Sequence, residues 1–420
     1  MNDKNSFLQR VKNQIKSAEA KQFVAKELDH HIEKKVEQLI DAGNERDVAE
    51  LKAVQQMGDP IKLGLKMGHL HRPKVDWGLI SLFIFLQLIG LLPLLVTSSK
   101  YQPSIYQQTT SIFFGIVCAI CLMLFDYRKL KEKWWLIIGA FGVILMVFFY
   151  FGTYVNGNPY IRFGPFKTNS IIVLPFLFIS WAGVFYQYTR RYVLITGIFL
   201  FSVLLYAPIS VFSNLFIYIV VVFAMYIWTI RKHRKRVIGT FIAWIIGTII
   251  IFIWKYNEYY MKHRLLGFLF PEQHANESGY LNIQIKKYLS EAGWLGQKRN
   301  LEHFLLPESH TDFAFVTFTY SFGWIFSILL ILFLATITMR MFWISRKVVD
   351  PFGQLIIIGA VTLYSVPFVY NIAMVLGLLP LAGIGLPFIS YGTVHVLINS
   401  MLIGLVLSVY RRKDLFTTAA

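Results

Sequence analysis

Long apolar stretches, separated by short polar segments, run along the chain from residue 77 to residue 410. A helix needs about 20 mainly apolar residues to cross the hydrocarbon core of a bilayer. The pattern therefore predicts an all-α, polytopic membrane protein with about ten transmembrane helices. The predicted spans are 77–97, 108–125, 134–152, 169–187, 192–206, 210–230, 237–254, 313–339, 353–377 and 384–410.

The residues before these spans follow a different pattern. Apolar residues from Phe23 to Ile40 recur three and four positions apart, which predicts an amphipathic helix that ends at Gly43. The segment "ERDVAELKAVQQMGDP" predicts a second helix, ended by Gly58 and Pro60. Two short amphipathic helices in succession indicate a small folded domain.

We therefore expect residues 1–75 to form a small cytoplasmic helical domain and residues 76–415 to form the membrane domain. The sequence "AVQQMGDP" resembles the permease-prefix domains found ahead of some bacterial membrane proteins. The first domain contains no cluster of candidate catalytic residues, so its expected role is docking or regulation.

The positions of the basic residues predict how the chain is oriented in the membrane. The chain is 56% hydrophobic and 15% charged, with a net charge of +18. Basic loops of membrane proteins lie on the cytoplasmic side, which accounts for this charge without a nucleic-acid partner. Both termini are then cytoplasmic, and the outer segments are 98–107, 153–168, 255–312 and 378–383. The basic segments that set this orientation are 126–133, 189–191, 231–236, 340–347 and 411–413.

The large outer loop, residues 255–312, ends in the sequence "LLPESHTDFAF". Asp312 is predicted in the first turn of the following helix, where the positive end of the helix dipole favours a carboxylate. That explanation leaves Glu308 and His310 without a role. One carboxylate could act as a general base. Alternatively, two carboxylates and a histidine could hold a divalent cation, Mg²⁺ or Mn²⁺.

Two sequence blocks carry a family resemblance. "LPESHTDFAF" (306–315) and "NIAMVLGLLPLAGIGLPFISYG" (371–392) resemble motifs of the SEDS family, the shape, elongation, division and sporulation proteins related to FtsW, RodA and SpoVE. A weaker match lies upstream, in "GYLNIQ" (279–284) and "GWLG" (293–296). The order of the motifs and the ten-span topology agree with this family.

The resemblance implies a function. SEDS proteins are peptidoglycan glycosyltransferases that polymerise lipid II at the outer face of the bacterial cell membrane. They work with a class B penicillin-binding protein, which is a transpeptidase. The family's catalytic aspartate falls on Asp312, whose implied role is to take the proton from the acceptor sugar hydroxyl.

The resemblance also implies substrate contacts. Arg264 is expected at the pyrophosphate, although an arginine in this loop could instead snorkel to the membrane surface. Polar residues of the second block are expected to line the outward cavity, or alternatively to bond between helices. The expected substrate-binding residues are Glu308, His310, Thr311, Arg264, Gln284, Asn371, Ser390 and Tyr391.

Several positions depart from the family pattern. Thr393 replaces the second glycine of the family's "SYGG", and the segment 317–323 lacks the acidic residues expected there. Asn169 stands where a glutamine is expected, and 208–214 lacks its aspartate. Two alternatives to a polymerase therefore stay open. One is a non-catalytic scaffold or regulator of cell-wall synthesis, and the other is a transporter of a lipid-linked precursor.

Overall fold

The computed structural model describes residues 4–96, 105–155, 158–163, 166–231, 238–256, 259–297 and 306–415. The chain divides into two compact units. One consists of Met1–Asp76 together with Tyr410–Ala420, and the other consists of Trp77–Val409. The assignment of the C-terminal segment to the first unit differs from the predicted arrangement, which placed it in the membrane domain.

The first unit contains four helices in place of the two predicted. Ser17 and Asp59 accept hydrogen bonds from the backbone N–H groups of Ala20 and Ile61, and so cap the second and fourth helices. Pro60, which was predicted to end a helix, is the first residue of the fourth helix, a position that proline favours. The helices are α1 Lys4–Gln14, α2 Ala18–Asp41, α3 Arg46–Gln56 and α4 Pro60–Leu70.

The C-terminal segment completes this unit. Leu415 is buried in the same hydrophobic cluster as Val24 and Ile32 of α2. Arg412, whose side chain is fully buried, donates two hydrogen bonds to the Glu19 carboxylate, at 2.9 and 2.7 Å. A segment this short has no periodicity of its own. Its packing partner was therefore not visible in the sequence.

The second unit is helical almost throughout. Its helices fall within or beside the predicted spans and the predicted loop 255–312. They are α5 Trp77–Ile89, α6 Leu92–Val96, α7 Ile105–Leu124, α8 Trp134–Phe151, α9 Leu174–Gln187, α10 Tyr192–Tyr206, α11 Phe212–Ile230, α12 Ile238–Tyr256, α13 Tyr259–Leu269, α14 Tyr280–Glu291, α15 Ala314–Phe322, α16 Trp324–Lys347, α17 Pro351–Val375 and α18 Thr393–Arg411. The last helix, α18, extends two residues into the first unit.

Eight helical segments of the described chain are long and apolar enough to cross a membrane. The prediction of an all-α, polytopic membrane protein is thereby confirmed. The predicted spans 134–152 and 237–254 are helical, but their apolar stretches are shorter. The eight segments are Trp77–Leu94, Ile105–Leu124, Ser170–Gln187, Tyr192–Ile209, Phe212–Ile230, Trp324–Lys347, Pro351–Val375 and Thr393–Arg411.

The predicted span 313–339 is wrong, because the chain breaks at Gly323. There α15 ends and α16 begins, with Gly323 at φ +87° and ψ 174°, a conformation essentially reserved for glycine. The carbonyl groups of Gly293 and Trp294 accept hydrogen bonds from the backbone N–H groups of Trp324 and Ile325. The predicted loop 255–312 thus caps the start of α16, and the unbroken apolar pattern could not show it.

Substituting Gly323 by alanine should destabilise the protein by at least about 1–3 kcal/mol, the cost of the strained backbone conformation. The added Cβ would also overlap the carbonyl oxygen of Trp294. Gly139→Ala is the control, because no atom of the structure lies near that position. Thermal unfolding of the detergent-purified variants should show a lower midpoint for Gly323→Ala only. Equal midpoints for both variants would contradict this explanation of the helix break.

A small antiparallel sheet is the exception to the all-α prediction. It lies in the predicted outer segment 153–168, in the strand order β1–β2–β3. Thr153 pairs with Tyr160, and Ile161 pairs with Thr168. The strands are β1 Thr153–Val155, β2 Asn158–Phe163 and β3 Phe166–Thr168.

Candidate functional site

The acidic segment forms a compact turn ahead of α15. The backbone carbonyl of Glu308 accepts hydrogen bonds from the N–H groups of Thr311 and Phe313, both at 3.1 Å. The Thr311 hydroxyl donates to the Glu308 carboxylate at 2.6 Å. Glu308 has φ +53°, a left-handed conformation that is uncommon for a residue other than glycine. This turn leaves Glu308 exposed, while Asp312 is half-buried.

The helix-start explanation of Asp312 is wrong. Helix α15 begins at Ala314, and its N-cap residue, Phe313, makes no side-chain capping hydrogen bond. Asp312 therefore lies before the helix and not in its first turn. Other residues join the turn to the helix: the Thr317 hydroxyl donates a hydrogen bond to the Ser309 carbonyl at 2.6 Å. Helix capping thus gives no reason for a carboxylate at this position.

Side chains of the second sequence block (371–392) donate hydrogen bonds to the backbone of the acidic turn, Glu308–Asp312. Asn371 donates to the carbonyl of Asp312 at 2.8 Å and to that of Ile384 at 2.6 Å. The Ser390 hydroxyl donates to the carbonyl of Thr311 at 2.6 Å. Both side chains are almost completely buried. The two blocks are therefore in direct contact, and Asn371 and Ser390 position the main chain on either side of the Asp312 peptide.

The same contact continues through the next residues of each block. The backbone N–H of Tyr391 donates to the carbonyl of His310 at 2.8 Å. The two rings meet edge to face, with centroids 5.6 Å apart. Tyr391 also donates its hydroxyl to Gln107 of α7 at 2.8 Å. His310 and Tyr391 thus join the acidic turn to a third element of the membrane unit.

The carboxylate of Asp312 lies against the backbone of Gly383. Its Oδ2 atom is 3.5 Å from the place where a Cβ on Gly383 would stand. The pKa of Asp312 is raised to about 7: burial raises it most, the negative charge of Glu308 also raises it, and the positive charge of Arg264 lowers it. At neutral pH this carboxyl group can both accept and release a proton, as a general base requires.

Arg264 contacts the second sequence block, and its expected role at the pyrophosphate stays a prediction. It lies on α13 and donates to the carbonyl of Leu381 at 3.2 Å, two residues before Gly383. Its positive charge lowers the pKa of the Asp312 carboxyl. Burial lowers the pKa of His310, and the nearby Glu308 opposes that change. His310 therefore favours its neutral form more than a free histidine does.

These two blocks lie in a region that matches a known family. The sequence profile of the FtsW, RodA and SpoVE proteins, described as "Cell cycle protein", matches residues 74–415. The chain belongs to this family. The match includes both sequence blocks, 306–315 and 371–392, and all eight candidate spans.

Similar proteins carry related names. A "Probable peptidoglycan glycosyltransferase FtsW" of Trichlorobacter lovleyi is 32% identical over 182 residues, 41% of this chain and 47% of that protein. The "Peptidoglycan glycosyltransferase MrdB" of Escherichia coli K12 is 29% identical over 189 residues, 43% of this chain and 50% of that protein. The chain thus matches these curated relatives over about half of their length.

The fold agrees with the family. A chain of a solved "peptidoglycan synthase complex" superimposes with a TM-score of 0.68 at 21% sequence identity. The superposition covers 81% of this chain and 98% of that chain. The FtsW/RodA/SpoVE fold therefore accounts for the arrangement of the membrane unit.

The described contacts do not test two of the predictions, the role of Gln284 and the divalent cation. Gln284 lies half-buried on α14, and no hydrogen bond in the described part of the chain joins it to the acidic turn. Its role in binding substrate stays a prediction. The divalent cation, Mg²⁺ or Mn²⁺, also stays a prediction: among the described residues, no group of three or more His, Cys, Asp or Glu side chains could hold a metal ion.

At the positions that depart from the FtsW/RodA/SpoVE pattern, the side chains make hydrogen bonds between neutral groups. Asn214 donates to the side chains of Asn169 and Ser170, at 3.2 and 3.1 Å. The neighbouring Ser213 hydroxyl donates to the carbonyl of Gly383 at 3.3 Å. Thr393 bonds to the Ser111 hydroxyl of α7 at 2.8 Å. The sequence marked Asn169, 208–214 and Thr393 as departures, but it did not reveal that Ser213 reaches the glycine beside Asp312.

Proposed function

We propose that this protein is a peptidoglycan glycosyltransferase that polymerises lipid II at the outer face of the bacterial cytoplasmic membrane. The observation that carries the proposal is the Asp312 carboxyl group, half-buried against Gly383, with a pKa raised to about 7. Membership of the FtsW/RodA/SpoVE family and the names of its relatives support the same activity.

The proposed reaction is a single displacement. Asp312 takes the proton of the acceptor sugar hydroxyl as that oxygen forms a bond to the anomeric carbon of the donor. The bond from the anomeric carbon to the pyrophosphate oxygen breaks, and the polyprenyl pyrophosphate leaves with the electron pair. The configuration at the anomeric carbon is inverted. Because pyrophosphate leaves as a stable anion, one carboxylate suffices, unlike the pair that glycosidases use.

The leaving group needs positive charge, which Arg264 would supply. Arg264 is held by the Leu381 carbonyl and already acts on Asp312. In this proposal the outer loop faces the lipid II head group, and both termini lie in the cytoplasm. The partner is a class B penicillin-binding protein, which would cross-link the strands. A divalent cation on the substrate pyrophosphate stays a prediction, and no step of this mechanism depends on it.

The pH dependence of polymerisation tests the base assignment. Since Asp312 must be ionised, the rate should rise about tenfold per pH unit below pH 7 and level off above it. Glu308 raises the pKa of Asp312, so Glu308→Gln should move this limb to lower pH. Arg264 lowers it, so Arg264→Gln should move the limb to higher pH, besides reducing the rate.

The assay follows labelled lipid II at saturating concentration, so that binding does not distort the profile. Glu272→Gln is the matched control, because Glu272 is an exposed carboxylate of the same outer loop. A profile that stays unchanged in both the Glu308 and Arg264 variants would contradict the assignment of Asp312 as the base.

A further inference from the structure

The acidic residues of the first unit are concentrated in two of its four described helices. Helices α1 and α4 contain no acidic residue. Apart from Asp59, every acidic residue between Lys4 and Lys74 lies in α2, in α3 or in the turn between them. Helices α1 and α4 pack side by side, as do α2 and α3. The unit therefore has a basic half and a mainly acidic half.

The basic half has an exposed face that is also apolar. On α4, Leu63 and Met67 pack on the hydrophobic core of the unit, whereas Ile61, Leu65 and Leu70 point outward. These three side chains keep 50%, 57% and 51% of their surface exposed. Such exposure of large aliphatic groups along one helix is unfavourable in water and marks an interaction surface.

Lysines alternate with these apolar side chains. Lys62 and Lys66 lie on the same exposed face of α4, and Arg72 follows in the connecting segment, also exposed. Within the described part of the chain, neither Lys62 nor Lys66 has an ion-pair partner. A helix whose outward face carries lysines between aliphatic side chains suits the interface of an anionic bilayer, where the apolar groups enter and the ammonium groups meet phosphate.

The position of α4 in the chain favours the bilayer over a soluble partner. Six residues separate its end at Leu70 from Trp77, where the first candidate span begins. Six residues reach at most about 20 Å when fully extended. Trp77 is 73% exposed, as expected for an aromatic residue at a membrane surface. Helix α4 is thus tethered close to the lipid head groups at the start of that span.

We infer that the exposed face of α4 is an anionic-lipid-binding surface, which docks the first unit on the leaflet where the Trp77 span begins. Ile61, Leu65 and Leu70 enter the interface, and Lys62 and Lys66 bind lipid phosphate. The acidic half, α2 and α3, then faces the aqueous side. Docking depends on lipid charge, so the composition of the leaflet controls how this unit is presented to other proteins.

The test uses the full chain in liposomes of phosphatidylcholine, with or without phosphatidylglycerol. The two cysteines, Cys118 and Cys121, are replaced by serine. An environment-sensitive fluorophore is then attached at Leu65→Cys on α4, or at Leu51→Cys on α3 as the control, since Leu51 is also exposed. With phosphatidylglycerol, the probe at position 65 should shift to the blue and be quenched by head-group spin labels. The probe at position 51 should stay aqueous.

The double substitution Lys62→Gln and Lys66→Gln should weaken docking about fivefold for each lysine. The double substitution Lys34→Gln and Lys35→Gln, at two exposed lysines of α2, is the matched control and should change nothing. An aqueous signal at position 65 in both liposomes would overturn the inference. A blue shift without lipid quenching, or quenching indifferent to phosphatidylglycerol and to Lys62 and Lys66, would overturn it in favour of a protein partner.

Discussion

Asp312→Asn is expected to lower lipid II polymerisation by about 10²- to 10⁴-fold, the usual contribution of a general base. Asparagine has nearly the same shape but cannot take the proton from the acceptor hydroxyl. The backbone contacts that hold this residue pass through its carbonyl group, which Asn371 binds, and the substitution keeps them. The loss should therefore appear in kcat, with little change in KM or in stability.

Two controls separate chemistry from damage to the site. Glu272→Gln removes an exposed outer-loop carboxylate and should leave the rate unchanged. Asn371→Ala removes the side chain that holds the Asp312 carbonyl, so it should lower both the rate and the thermal midpoint. If Asp312→Asn lowered the thermal midpoint as Asn371→Ala does, the loss of activity would reflect misfolding, and the base assignment would lose its support.

Glu19→Ala is expected to destabilise the first unit by about 3 kcal/mol, the lower end of the range for breaking a buried ion pair. The Arg412 guanidinium has no solvent exposure, and the substitution removes the carboxylate that receives its two hydrogen bonds. The lower end applies because Glu19 itself is about a third exposed. The C-terminal segment should then separate from α2, and Leu415 should leave the core.

Limited proteolysis of the full-length protein in detergent measures this effect. A change of about 3 kcal/mol raises the population of the open form roughly 100-fold, and cleavage within residues 4–70 should accelerate accordingly. Glu33→Ala is the control. It breaks an ion pair with Lys4 in which Glu33 is 63% exposed, so its cost should stay below about 1 kcal/mol. Equal cleavage rates for the two variants would contradict the structural role of Arg412.

Features that depend on local pattern were predictable from the sequence. The periodicity of α2 and the length of the apolar stretches predict helices directly, because both patterns depend only on residues that are near each other in the sequence. Helix α4 was missed because its glycines and proline are typical of a helix end. The break at Gly323 was missed because the apolar pattern continues on both sides of it.

Features that depend on distant contacts were only partly predictable. The motif match pointed to Asp312, Asn371 and Ser390, but it did not show that Asn371 and Ser390 act on backbone carbonyls. Gly383 and Ser213 have no chemical signature in the sequence, since their roles arise from where the chain folds back. The same holds for the buried Arg412, whose partner Glu19 lies almost the whole chain away.

The central claim is that Asp312 makes this protein a lipid II polymerase, and the most direct measurement is the glycan product itself. Purified wild-type protein and Asp312→Asn, reconstituted in liposomes at equal folded amounts, are supplied with labelled lipid II, with and without a class B penicillin-binding protein. The account predicts glycan strands from the wild type and none above background from Asp312→Asn. Strands of equal yield from Asp312→Asn, or no strands from the wild type with its partner, would contradict it.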